Sequence, residues 1–361
     1  MKYSLSLLMV CMCLSALGQM KPVKASDAVF TYSGRIDKRN PDAVRYDWPG
    51  VSVCFQFTGN QLAFVMDGGA TNYFNVFIDG RLHEVLMAPA DSVYNIKGIK
   101  GRGWHTCCLQ KRTEGEQGTV TFKGVRLAAK AEVKSCEKLP ARRIEFIGNS
   151  LTAGYGTEGQ SGDEKFLPAT ENVDKSYAFI TARAFNAECY VTAHSGLGVV
   201  RNYAGKPMAT LTDRYRQTFD MDTSLIWNFN DWQPHAVVIN LGSNDYSANG
   251  APSKALFIDR YKRFLQEIRS YYGDVPVFCI VGPIRDEPLF SNVKQAVEEA
   301  RVIYNDHHLY FIAIPPALLN RNTDYGSDWH PSYKGQLKMA NHIIPTIANV
   351  LDWDYSMEEC K

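Results

Sequence analysis

The sequence predicts two domains of different class. Residues 26–128 read as an all-β sandwich of jelly-roll type, and residues 143–361 as an α/β domain whose parallel sheet is covered by helices on both faces, with a linker at 129–142. Two observations carry this. Residues 29–127 form short β-type runs between polar turns with almost no helical periodicity, the pattern of an antiparallel sandwich. Beyond 143, β-type runs alternate with stretches of helical period, and that alternation implies a parallel sheet. A length of 361 residues also suits two domains better than one.

The first residues read as an export signal over 1–18. Lys2 supplies the positive start, 5–17 is an apolar stretch of signal length, and Ala16-Leu17-Gly18 is a small-x-small cleavage site before Gln19. Val23-Lys24-Ala25 offers a second cleavage site. In the β-rich part, Val51-Ser52-Val53-Cys54-Phe55-Gln56-Phe57 alternates and stops at Thr58-Gly59-Asn60; the next run ends at Asp67-Gly68-Gly69, and 73–78 meets the tight turn Asp79-Gly80. Runs at 105–111 and 119–122 flank a Gly-rich turn. In the second domain, strands are expected around Phe146, Tyr190, Val238, Phe278 and Phe311. A helix over 253–272 puts Phe257, Tyr261, Phe264, Leu265, Ile268 and Tyr272 on one face, and further helices are expected at 293–304 and 333–351, the last kinked at Pro345. The polar, helix-poor stretch 157–174 reads as a loop forming one lip of a cleft.

Composition excludes several function classes. A formal net charge of +1 with pI near 7.6 lacks the basic excess that nucleic acid or an anionic membrane would attract. The N-terminal apolar stretch is too short to span a bilayer and no other long apolar run exists, so no stable membrane insertion is expected. Seven Cys remain after cleavage; Cys54 and Cys279 read as buried, inert thiols, adjacent Cys107 and Cys108 face opposite sides of a strand, and the exported compartment permits a disulfide whose partners stay open. The His residues show no zinc-type spacing. Gly154-x-Gly156-x-x-Gly159, with Asp174 beyond it, matches a dinucleotide fingerprint, but the preceding strand ends at Gly148 and a loop with Pro168 follows instead of a helix. Neither metal nor nucleotide cofactor is expected.

Four short blocks carry chemistry. Gly148-Asn149-Ser150 follows the apolar run Ile144-Glu145-Phe146-Ile147; Ser195-Gly196-Leu197-Gly198 follows 187–193; Gly242-Ser243-Asn244-Asp245 follows 236–241; and Asp328-Trp329-His330-Pro331 stands near the C-terminus. In a parallel sheet the strand ends after which the first three blocks lie share one rim, where ligands bind. Ser150 is placed as a nucleophile on a sharp turn, and His330 as its general base. The N–H groups of Ser150 and Gly196 and the amide of Asn244 are placed as oxyanion donors. Gly at 196 leaves room for an acyl group. Trp329, beside the base, and more weakly Tyr155 and Tyr246, are candidates to bind substrate through their aromatic faces. His194 reads as structural.

In that order these blocks resemble the conserved blocks of the SGNH (GDSL-type) hydrolases. More narrowly, residues 144–156, the stretch Trp227-Asn228-Phe229-Asn230-Asp231-Trp232-Gln233-Pro234 and Asp328-Trp329-His330-Pro331 are similar to the family 2 carbohydrate esterases. The resemblance covers nearly the whole mature chain. It implies a jelly-roll domain before a flavodoxin-like SGNH domain, export, and removal of acetyl groups from plant polysaccharides or oligosaccharides of xylan or mannan type. It also implies Ser150 as nucleophile, His330 as base, and Gly196 and Asn244 as oxyanion donors. Two positions depart from the broad SGNH pattern: Asn149 stands where many members carry Asp, and Ser327 where an Asp three residues before the His is usual. Asp328 is the nearest carboxylate. Pro331 favours an extended backbone, in which Asp328 and His330 point the same way and complete a triad; some family 2 esterases instead orient the His with a main-chain carbonyl. A broader carboxylesterase with a wide acyl pocket, and a carbohydrate-binding protein without turnover, are the alternative functions.

Overall fold

The computed structural model describes residues 20–136, 139–248 and 250–357. The expected export signal, 1–18, lies outside the described residues. The N-terminal half is built from β1 (Lys21–Lys24), β2 (Thr31–Ser33), β3 (Val44–Tyr46), β4 (Ser52–Thr58), β5 (Leu62–Asp67), β6 (Tyr73–Ile78), β7 (Arg81–Met87), β8 (Asp91–Ile96), β9 (Trp104–Lys111), β10 (Val120–Leu127) and β11 (Val133–Lys134). They make two antiparallel sheets, one ordered β1-β10-β5-β8 with β3 also on β10, the other β11-β4-β9-β6-β7 with β2 on β4. The alternation in β4 does what its period dictates: Val53, Phe55 and Phe57 are buried while their neighbours are half-exposed. Phe30 ties the sheets together, edge-on to Phe55 of one and Phe122 of the other at 5.3 and 5.2 Å between ring centroids.

Three details depart from the sequence expectations. Strand β1 precedes residue 26 and pairs with β10 along its whole length. Cleavage after Ala25 would remove it, whereas cleavage after Gly18 would not. The expected linker holds β11, paired with Phe57 and Gln56 of β4. Cys54 is no free thiol: it faces Cys108 across the β4–β9 ladder and is joined to it by a disulfide, while Cys107, on the other face, is buried and free, as is Cys279.

The second half holds a five-stranded parallel sheet of β12 (Arg142–Gly148), β13 (Ala187–Ala193), β14 (Ala236–Asn240), β15 (Val277–Val281) and β16 (Leu309–Ala313), in the order β13-β12-β14-β15-β16. Its helices are α1 (Ser150–Ala153), α2 (Tyr177–Ala184), α3 (Leu211–Arg214), α4 (Lys254–Tyr272), α5 (Leu289–Ile303) and α6 (Tyr333–Leu351). Helices α2 and α6 cover one face of the sheet and α4 and α5 the other. All six apolar residues expected on one face of α4 are buried, and Ser253 caps the helix by accepting the Leu256 N–H. The strand order reverses at β12, whose two neighbours are β13 and β14. That is the switch point at which open parallel sheets form a crevice beyond the strand ends.

The halves are locked together. The Arg35 guanidinium, from the N-terminal half, reaches Glu145 inside β12 at 2.9 Å and lies over the rings of Tyr215 and Phe229, both charges buried. Glu145 also accepts hydrogen bonds from Thr192, Tyr215 and Tyr272, so its carboxylate is fully satisfied. The Trp227–Trp232 block serves this interface: Arg35 lies over the rings of Trp227 and Phe229, and the Trp232 indole donates to Glu188, which also accepts the Ser33 hydroxyl from the N-terminal half.

Candidate active site

Ser150 opens α1 directly after β12. A Cβ on Gly148 would stand 2.0 Å from Thr152 Oγ1, so only glycine lets the chain turn this tightly. Asn149 caps α1 through its side-chain oxygen and donates its amide N–H to Ser243 Oγ at 3.0 Å. Asn at this position thus braces the turn and ties it to the loop after β14. That loop carries Asn244, whose amide donates to the Leu197 carbonyl at 2.8 Å and so joins the loop after β13. Asp245 accepts the N–H groups of Val199, Val200 and Arg201, pinning the same loop from beneath. Ser150, Gly196 and Asn244 therefore meet at the ends of three adjacent strands. The N–H groups of Ser150 and Gly196 have no acceptor among the described residues. Gly196 has φ +79°, a left-handed conformation that favours glycine, and a Cβ there would find open space apart from Tyr203 Cβ at 3.7 Å.

His330 Nε2 lies 2.9 Å from Ser150 Oγ, and His330 Nδ1 lies 3.1 Å from the main-chain carbonyl of Asp328. A carbonyl only accepts, so Nδ1 carries the proton and Nε2 is left to accept from the Ser150 hydroxyl. Burial pushes the imidazole down to about 4, against the opposing pull of the Asp328 carbonyl and charge. The ring is therefore a neutral base at any pH above that value. The acid limb of kcat/KM is accordingly expected near pH 4, well below the ordinary histidine range; a limb at pH 6.5 in enzyme stable there would contradict it.

The Asp328 carboxylate does not face His330, which corrects the triad expectation. His330 is extended, as a residue before proline should be, but Asp328 and Trp329 both adopt positive φ, 49° and 59°. The resulting tight turn aims the carboxylate away, where it accepts the Phe166 N–H, the Lys165 ammonium and the Tyr155 hydroxyl at 3.1, 3.1 and 3.2 Å. Burial raises its pKa, but those three donors outweigh it and hold the group below the usual carboxylate range. It is an anchor between the His segment and the 157–174 loop. The glycines of the rejected dinucleotide fingerprint do related work: Cβ atoms on Gly156 and Gly159 would collide with Ser327, so this loop lies flat against the turn that carries His330.

The aromatic candidates separate. Tyr155 is stacked on Phe166 at 3.8 Å and sits 4.4 Å from the His330 ring, so it walls the imidazole. Tyr246 is held by Asn292 and Phe257. Trp329 is half-buried, under the Arg321 guanidinium at 3.7 Å and against Gly162. Tyr203 was not singled out in the sequence, yet it is 49% exposed and its N–H donates to the Gly196 carbonyl. No motif marks it; only the fold brings it to the loop that carries Gly196. His194 is buried and bonded to Asp220, a structural placement.

Residues 32–135 match the carbohydrate esterase 2 N-terminal family, and residues 146–338 match the GDSL-like lipase/acylhydrolase family. A family two carbohydrate esterase from Clostridium thermocellum, solved in complex with cellohexaose, superposes with a TM-score of 0.85 at 34% identity, over 90% of this chain and 99% of that one. The chain belongs to the family 2 carbohydrate esterases. Cellulase/esterase CelE of Acetivibrio thermocellus is 35% identical to this family 2 chain over 326 residues, 89% of this chain but 39% of that protein, so the chain spans well under half of this relative's length. An acetylxylan esterase / glucomannan deacetylase of Cellvibrio japonicus is 24% identical over 343 residues, 94% of each chain. No helix among the described residues is long and apolar enough to cross a membrane.

Proposed function

We propose that this protein is a serine esterase that removes O-acetyl groups from plant polysaccharides or oligosaccharides of xylan or mannan type, acting after export. The observation that carries this is the 2.9 Å contact from Ser150 Oγ to a His330 ring whose other nitrogen is held by the Asp328 carbonyl, beside the Asn244 amide and two N–H groups, of Ser150 and Gly196, that have no acceptor among the described residues. Ser150 Oγ attacks the acetyl carbonyl as His330 Nε2 takes its proton, and the carbonyl oxygen gains charge against the N–H groups of Ser150 and Gly196 and the Asn244 amide. Collapse expels the sugar hydroxyl, which leaves with the proton from His330. Water, activated by the same ring, then releases acetate and restores Ser150. Membership in the family supports the ester chemistry, and the names of the Cellvibrio and Clostridium relatives support a glycan carrier. Exposed Tyr203 offers the sugar an aromatic face next to Gly196.

The test is acetate release from acetylated xylan, glucomannan and pectin, together with kcat/KM on aryl esters from acetate to octanoate. Release from xylan or glucomannan, with a steep fall from acetate to butyrate, is expected. Activity that is level or rising toward octanoate would favour the lipase-like alternative. Glycan binding without any turnover would favour a binding protein.

A further inference from the structure

The N-terminal half contributes to the proposed oxyanion hole through a loop that no catalytic motif marks. Between β9 and β10 the chain crosses to the second half, and Glu114 Oε2 accepts the backbone N–H of Ser195 at 2.6 Å. Ser195 is the residue immediately before Gly196. The neighbouring His194 is gripped by the same loop and by its support: its Nδ1 bonds Asp220 Oδ2 at 2.5 Å and its Nε2 lies 3.8 Å from Glu116. Gly115 presses on Asp220 so closely that a Cβ there would stand 2.4 Å from its carboxylate. The two residues that lead into Gly196 are thus both held from outside their own loop.

A buried carboxyl is costly unless it does something that an apolar side chain cannot. Glu114 is fully buried, and its second oxygen, Oε1, has no partner among the described residues. The groups facing it are Glu116, His194, Glu171, Lys111 and Ser195, and Lys111 donates to the Glu114 main-chain carbonyl rather than to its carboxyl. Burial lifts its carboxyl to about 7. Acid and carboxylate both leave an oxygen lone pair for the Ser195 N–H, so the contact does not depend on the charge.

We infer that Glu114 is a positioning residue for catalysis: by accepting the Ser195 N–H it fixes the His194–Ser195 peptide, and through Ser195 it sets the direction of the following peptide, whose Gly196 N–H points at the developing oxyanion. The inference rests on the oxyanion assignment made above. It makes the N-terminal half a structural part of the catalytic centre rather than an appended module.

The test compares Glu114→Met, which fills the space without an acceptor, with Glu114→Gln, which keeps one. Misaiming one donor should lower kcat on an aryl acetate by about 10- to 100-fold in Glu114→Met with KM within about twofold, while Glu114→Gln stays within about threefold of wild type. Should the methionine variant not fold, Glu114→Asp, which retracts the acceptor by one methylene, carries the same expectation in milder form. A folded Glu114→Met or Glu114→Asp with wild-type kcat overturns the inference, and so does a Glu114→Gln loss as large as that of Glu114→Met. Asn244→Ala serves as the reference for the hole itself, expected to lose roughly 10²–10³ in kcat. If that variant loses kcat and Glu114→Met does not, only the role of Glu114 falls; if neither does, the oxyanion assignment falls with it.

Discussion

Ser150→Ala is expected to lower turnover of an aryl acetate below about a thousandth of wild type while the protein stays folded. The hydroxyl lies both within reach of a neutral imidazole and at the end of the strand where the sheet order reverses. Its loss leaves the hole and the substrate contacts intact, so the residual rate reports what those parts achieve without a covalent step. The substitution removes a single oxygen on a short helix whose cap, Asn149, and glycine turn, Gly148, are untouched, so the fold has no reason to change. Activity above that floor in a folded variant would mean that another group attacks the ester.

His330→Ala is expected to fall close to the same floor, and Asp328→Asn to fall far less, by about tenfold or under. A buried Asp that orients a triad His is worth roughly 10⁴ when changed to Asn. Here the main-chain carbonyl of residue 328 performs the orienting, and the substitution does not touch it. Asn also tolerates the left-handed backbone of that position and can still accept the Phe166 N–H. What remains to be lost is the long-range charge of Asp328 on the imidazolium and part of the anchorage to Lys165 and Tyr155. A folded Asp328→Asn as inactive as His330→Ala would restore the full triad.

The parts of this site legible in the sequence were those fixed by chain order and strand chemistry. β12 ends on a glycine and β13 and β14 each run into a glycine-bearing loop, and a parallel sheet must bring such ends to one rim, so chain order alone groups Ser150, Gly196 and Asn244. The long amphipathic helix α4 was readable because its period repeats over five turns. What escaped depended on tertiary register or on single backbone angles. Pro331 constrains only the residue before it, so the extended reading holds for His330 and fails at Trp329 and Asp328 before it, where positive φ reverses the chain. The Cys54–Cys108 bridge follows from the alignment of β4 with β9, and β11 from its pairing with β4; neither leaves a mark in local composition. Glu114 and Tyr203 reach the Ser195–Gly196 loop only because the two halves pack as they do and because a loop folds back on Gly196.

The most direct measurement is to capture the acyl-enzyme. Enzyme mixed with an activated acetate ester, quenched in acid within a turnover and digested, should carry one acetyl group on the peptide containing Ser150. The adduct should be absent from Ser150→Ala. An acetyl group on any other residue, or undiminished acetate release by folded Ser150→Ala, would contradict the account.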